Sequence, residues 1–327
     1  MEVRFIAGSV VEEHGVDDLP ALLQRDEGFT WADIPECDPA ATDVLRDVFG
    51  FHPLAIRSCV ERSRVPKVHA YADHFFFVLH GPELGRAGHV HYVELDQFVG
   101  TRFLVTVHGP LNAAVPKEVA VRETSAVLAR MTAGRFTPAS PAELSYAIVS
   151  ALTRHMESFV EELTEAVWHL EQRVTAGHLA DPEQLLEEMF QTRHGLLAVA
   201  TMGGASREVY KRMASLSRVV PPEHRPLMDD AMDQFDRVAG VALVQRDYLQ
   251  GVIDFYRART DTKMTIAAER LAVVAVVTLP VTALASVYGM NIIVNGETDV
   301  PHLVVVLLVM LTMSGSLLLW AKRQGWF

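Results

Sequence analysis

Cysteine is nearly absent, with only Cys37 and Cys59 in 327 residues. Two thiols are too few for a disulfide framework and read as reduced cysteines of a cytosolic domain. No Gly-x-x-x-x-Gly-Lys-Ser/Thr segment occurs, so a P-loop and the nucleotide chemistry it supports are excluded. The first residues, MEVRFIAGSVVEEHG, lack a basic start followed by a continuous apolar core, and no secretory signal is expected. Basic residues are outnumbered, 29 Lys and Arg against 41 Asp and Glu, for a formal net charge of −12. That balance argues against a nucleic-acid partner, because phosphate binding needs a basic face. No nucleophile–base pair or metal constellation stands out, so an enzyme is not expected.

Charge is also missing from two long stretches. No charged residue lies between Leu271 and Gly296, and none between Leu303 and Ala321. Leu271 to Met290 is long enough as a helix to cross a hydrocarbon core of about 30 Å at about 1.5 Å per residue. Two transmembrane helices are therefore expected, in preference to a buried hairpin. Arg257, Arg259, Lys263 and Arg270 precede the first span, and Lys322 and Arg323 follow the second. The intervening loop holds Glu297 and Asp299 but no Lys or Arg. The bias of basic residues toward the cytoplasm predicts a multi-pass protein of the cell membrane with both termini cytoplasmic. Trp320 and Trp326 suit the inner interface.

The rest of the chain reads as a soluble α/β domain followed by long helices. Residues 1–138 carry β-rich runs at Val3–Val10, His74–His80, His89–Leu95 and Gln97–His108, with helical patterns at Ala40–Phe49 and Pro116–Ala133. Residues 139–220 form a helical arm: one helix from Pro141 to Gly177, and a second from Asp181-Pro182, a cap with proline at the first helical position, to about Ser217. Gly203-Gly204 is expected to weaken or bend the second. Residues 221–291 form a stalk helix that continues into the first span. Met228, Met232, Phe235, Val238, Ala239, Ala242, Leu249, Val252, Ile253 and Tyr256 give it an apolar stripe. From Glu223 to Met290 it measures about 100 Å. An external loop at 292–302, a second span at 303–321 and a basic cytosolic tail at 322–327 complete the chain. His89 and His91 share one face of a predicted strand, and Glu157, Glu161, Glu162 and Glu165 crowd one helix. Both groups read as solvated faces, since no third ligand sits at metal spacing.

Two short helices cannot enclose a water-filled path, so a pore needs several copies around an axis. Thr278, Thr282 and Ser286 recur every four residues along one side of the first span. They either line such a pore or hydrogen-bond back to their own helix. The span has no carboxylate, whereas bare Mg²⁺ is normally bound by carboxylates. A ring of neutral amides suits the waters of a hydrated ion better.

The first span ends in Tyr288-Gly289-Met290-Asn291, followed by a short loop, a second apolar helix and a basic end. This arrangement resembles the CorA family of divalent-cation channels. His52-Pro53-Leu54, Arg64-Val65-Pro66-Lys67-Val68 and the run from Asp73 to Leu79 are similar to the N-terminal domain of the same family. Arg57-Ser58 stands where the family usually has an acidic pair. The resemblance implies an α/β cytosolic domain, a long stalk and two transmembrane helices, assembled as a homopentamer in membrane lipid with the first helix lining the pore. It implies Tyr288, Gly289, Met290 and Asn291 as the selectivity motif. Leu271, Leu279, Thr282 and Ser286 would line the pore, with the two leucines as apolar constrictions. Glu297 and Asp299 form an acidic outer loop, although Ile292-Ile293 follows the motif where relatives carry an acid. In the family, Mg²⁺ bound between subunits closes the pore. Counting back from the motif places one expected carboxylate on Gly240, which leaves Asp236, Asp233 and Glu83 as candidate regulatory ligands. The expected function is uptake of hydrated Mg²⁺, with Co²⁺ or Ni²⁺ as further cargo, driven by the membrane potential and with no cofactor besides the transported or regulatory ion. The alternatives are a zinc transporter of the same superfamily, with or without proton coupling, and a non-conducting membrane sensor or scaffold.

Overall fold

A computed structural model of the chain describes residues 1–110, 112–177, 181–216, 222–289 and 300–324. It divides into two compact units, Met1–Val252 and Ile253–Phe327.

The first unit is built on a seven-stranded sheet in the order β2-β1-β3-β7-β6-β5-β4. The strands are β1 (Glu2–Ala7), β2 (Val10–His14), β3 (Phe29–Ile34), β4 (Lys67–Ala70), β5 (His74–Leu84), β6 (Val90–Gly100) and β7 (Phe103–Val107). All neighbours are antiparallel except β3 and β7, which run parallel. Short helices α1 (Leu19–Leu22), α2 (Pro39–Asp47) and α3 (Pro53–Val60) join strands, and α4 (Lys117–Ala120) and α5 (Arg122–Thr132) follow the last of them.

Each face of the sheet has its own core. On one, Ile34, Phe76, Phe98 and Val105 pack with Leu45 of α2 and Ile56 of α3. On the other, Trp31, Leu95 and Leu104 pack with Val127 of α5 and Ile148 of the long helix α6 (Pro141–Ala176). A strand covered on both sides has no polar face to show, which explains the unbroken run His74–Gly81 of β5, buried throughout. Each fully buried large apolar side chain contributes about 1.5–3 kcal/mol.

Two expected strands prove to be hairpins. The run Val3–Val10 breaks at Gly8, whose φ of 57° is a left-handed conformation that glycine adopts without a Cβ clash. The run Gln97–His108 reverses after Gly100, where a Cβ would lie 2.5 Å from the ring of Phe103. His89 falls outside β6, after the short turn Arg86–Gly88, so only His91 is a strand residue.

Helix starts follow their caps. The Asp38 carboxylate accepts from the Ala41 N–H at 2.7 Å ahead of Pro39. The Ser140 hydroxyl accepts from the Glu143 N–H at 3.2 Å, while the Glu143 carboxylate accepts from the Ala139 N–H. Asp181 accepts from the N–H groups of Glu183 and Gln184 at the start of α7 (Pro182–Ser215). His52 of the His-Pro-Leu segment caps α3 in the same way, its Nδ1 accepting from the Leu54 N–H at 3.2 Å.

The glycine pair Gly203-Gly204 does not break α7, which is continuous to Ser215. A Cβ on Gly203 would lie 3.1 Å from the Ala239 Cβ and 3.2 Å from the Phe235 carbonyl oxygen. Its role is close approach to α8 (Arg225–Gly289), a helix of 65 residues. Within the first unit α8 buries Phe235, Val238, Ala239, Ala242, Leu249 and Val252 of the expected stripe, together with Ala231. In the second unit α8 ends at Gly289 and α9 spans Val300–Arg323.

Candidate ion path and regulatory carboxylates

The apolar parts of α8 and α9 are long enough to cross a membrane, and almost none of their most apolar stretches is buried. Leu271 is 71% exposed, Leu279 67% and Leu311 72%. An uncharged helix surface of this size is not stable against water, so it belongs in lipid or against other chains. That removes the buried-hairpin alternative.

At about 100° per residue, Leu271, Thr278, Leu279, Thr282 and Ser286 fall within an arc of about 100° on α8. All five are exposed. The Thr278 hydroxyl donates to the Val274 carbonyl and the Thr282 hydroxyl to the Thr278 carbonyl, each at 2.8 Å. A threonine that donates its proton back to the helix still turns its oxygen lone pairs outward, as acceptors for water. The face thus combines two properties: leucines that exclude water and hydroxyls that bind it. Pro280 lies inside the helix, on the side away from this arc.

Gly289 closes α8, and Tyr288 lies in its last turn. Met290, Asn291, Glu297 and Asp299 lie outside the described residues, as does Trp326.

Two of the candidate regulatory carboxylates, Glu83 and Asp236, have a neighbour that their spacing did not reveal, as does the nearby Asp230. Glu83, at the end of β5, pairs with Arg122 of α5 at 2.6 Å. Asp236 of α8 pairs with Arg207 of α7 at 3.0 Å. Asp230 accepts from the Tyr146 hydroxyl and the Gln234 amide, and those bonds hold its carboxyl below the usual range. Asp233 is exposed, and so is Gly240, around which a Cβ would meet nothing within 4 Å. The structure brings Asp233, Asp236 and Gly240 onto one stretch of α8, and each of Glu83 and Asp236 onto an arginine. Among the described residues no group of three or more His, Cys, Asp or Glu side chains is placed to hold a metal ion within one chain. Glu157 pairs with Arg237 at 3.1 Å, while Glu161, Glu162 and Glu165 are exposed, as a solvated helix face requires. His91 accepts from the Asn112 amide at 3.1 Å.

Residues 26–323 match the family described as CorA-like Mg²⁺ transporter protein. The chain belongs to that family. It is 28% identical over 316 residues to YfjQ of Bacillus subtilis, named as a candidate metal ion transporter, covering 94% of this chain and 93% of the relative. It is 25% identical over 306 residues to the cobalt/magnesium transport protein CorA of Thermotoga maritima, covering 89% and 82%. The complete structure of the CorA magnesium transporter from Methanocaldococcus jannaschii shares the fold with a TM-score of 0.79 at 16% identity, over 100% of this chain and 99% of that one. The cytoplasmic domain of ZntB from Vibrio parahaemolyticus shares it with a TM-score of 0.61 at 11% identity, over 80% of this chain and 98% of that one. This CorA-family chain is accordingly a divalent-cation transporter of the membrane and not an enzyme.

Proposed function

We propose that the chain forms a ring, a pentamer by family resemblance, that conducts hydrated Mg²⁺ inward along the face of α8 carrying Leu271, Leu279, Thr282 and Ser286. The observation that carries this reading is the composition of that face: exposed, uncharged, and alternating between water-excluding and water-binding groups. Mg²⁺ dehydrates reluctantly and takes carboxylates when it does, and the span offers none. Hydroxyls and a ring of Asn291 amides can instead bond the ion's waters. The relative from Thermotoga maritima, named for cobalt and magnesium, supports the same cargo. The membrane potential supplies about 2.3 kcal/mol per charge per 100 mV, or about 4.6 for a divalent ion, so no nucleotide is needed. Both termini lie in the cytoplasm in this reading, with Glu297 and Asp299 at the outer mouth gathering cations.

Zinc with proton coupling is the second reading, favoured by the fold shared with the ZntB domain. Zinc prefers nitrogen and sulfur ligands, and no His or Cys lies between Leu271 and Gly296. The test is purified protein in liposomes, with Mg²⁺, Co²⁺, Zn²⁺ and H⁺ fluxes measured side by side. Mg²⁺ entry without proton movement is expected, and Asn291→Ala should abolish it while leaving assembly intact. Zn²⁺ flux accompanied by protons would replace the magnesium reading. Absence of any flux would favour a sensor or scaffold. Near-normal Mg²⁺ uptake by assembled Asn291→Ala would remove that residue from the selectivity site.

A further inference from the structure

Two carboxylates lie in the core of the first unit. Glu94 and Asp96 alternate on β6 toward the face covered by α2 and α3, and they are 6% and 0% exposed. Both oxygens of Asp96 and Oε1 of Glu94 have no hydrogen-bond donor among the described residues. Oε2 of Glu94 accepts from the Ser63 N–H at 2.8 Å. The groups facing the pair do not fill the gap. His80 of β5 donates its Nε2 proton to the Ser63 carbonyl at 2.8 Å, and burial keeps its ring neutral, so its 3.9 Å approach to Glu94 is no ion pair. The Cys59 thiol of α3 donates to the Ala55 carbonyl and also approaches Asp96, but a thiol is a weak donor and carries no charge to offset the pair, and Cys37 lies in the loop before α2. Lys67 of β4 donates to the Ser58 hydroxyl, and Arg62 to the Tyr92 carbonyl. His108, after β7, is bound to Asp33 at 2.9 Å.

Carboxylates without a proton only accept, so three oxygens facing one another in an apolar core are short of a donor. A single proton supplies it. We propose that Glu94 and Asp96 form a proton-binding site in the first unit, and that the shared proton fastens the segment between α3 and β4. The fastening runs through Ser63: Glu94 holds its N–H and His80 its carbonyl. Without the proton two like charges face each other with no cation in contact, and Glu94 must leave Asp96 and release Ser63. Glu94 also lines a small pocket with Arg62, Tyr92, His108 and Asn112 among its polar walls, which gives the proton a way in.

Burial pushes the Glu94 carboxyl up to about 7, and burial together with the Glu94 charge pushes Asp96 well above its usual range. Raised carboxyl values in the folded state mean that the proton's stabilising effect is complete below the ordinary carboxylate range. It is lost as pH rises through about 7 for Glu94, and beyond for Asp96.

The test uses the full-length protein in lipid nanodiscs and trypsin cleavage after Arg62 and Arg64. The cleavage rate of wild type is divided by that of Asp96→Asn at each pH, which cancels the protease's own pH dependence. Asparagine carries a permanent donor, so the variant should be insensitive to the pair's titration. The ratio is expected to rise about tenfold between about pH 6 and about pH 8.5. Glu94→Gln, an independent replacement in case Asp96→Asn fails to fold, should flatten the profile equally. A ratio independent of pH overturns the proposal, and so does a pH rise that persists in both amide variants. Full protection of wild type at high pH by added Mg²⁺ or Na⁺, but not by protons, would make the pair a cation site and overturn it as well.

Discussion

Leu279 is 67% exposed on a helix face that it shares with Leu271 and with threonine and serine hydroxyls. If it forms a constriction, water is excluded there by a ring of isobutyl groups and not by charge. Leu279→Ser should therefore wet the path and raise resting Mg²⁺ leak in liposomes several-fold. Unchanged or lower leak would place Leu279 against lipid or α9 instead. The motif ending in Asn291 was legible because its four residues are contiguous. The arginines that neutralise Glu83 and Asp236 were not, because each ion pair joins different elements whose register is set by packing. Glu94 and Asp96 did leave a signal: acids at alternate positions between Val93, Leu95 and Phe98 mark an inward-facing polar pair. Asp33 left a misleading one. It interrupts β3 in the sequence, yet in the fold it accepts from Thr106 at 2.5 Å and pairs with His108 at 2.9 Å. Burial alone would raise its carboxyl, and those bonds outweigh it and hold the group below the usual range.

Strands were readable where a long apolar run marks them, and β3, six residues buried throughout, was not among the expected runs because Asp33 interrupts it. β5 stands out as an apolar run, β6 was split at Asp96 between two expected runs, and β2 with five residues and β4 with four lie at the edges of the sheet and carry polar side chains. The long helices were legible from caps and period, and α8 most of all. Its glycines have different reasons. Gly203 on α7 makes room for α8, but Gly240 on α8 touches nothing and is exposed. A side chain is therefore tolerated there. Gly240→Asp should strengthen Mg²⁺-dependent closure and protect α8 from protease when Mg²⁺ is added, since divalent affinity rises with ligand charge. Replacing glycine in a helix itself stabilises by about 0.5–1 kcal/mol, so Gly240→Ala is the control. Protection already complete in wild type and lost in Asp236→Ala would move the sensor one turn along the helix. The Asp236–Arg207 pair argues against that outcome, because a bound cation must first displace the guanidinium.

An assembled ring accounts for the exposed apolar length of α8 and α9 better than a lone chain does. Two helices leave a conducting face open to lipid, where hydroxyls and water have no place. Mass measurement in nanodiscs should give a single closed oligomer, and a monodisperse single chain would sink the channel reading. Chain order has a consequence for how such a protein is made. The parallel pairing of β3 with β7 means that the sheet cannot close until Val107 has been synthesised. It can be complete before Leu271, the first residue of the uncharged run, leaves the ribosome. At about 5–20 residues per second the intervening chain takes several seconds or more, which is ample for a small sheet to form. The water-soluble unit is thus free to fold before the ribosome has anything to offer the bilayer. Insertion would then act on a nascent chain already carrying a folded load on its N-terminal side, and a load too bulky to be threaded across would stay on the side where it was made, as the proposed topology with cytoplasmic termini requires.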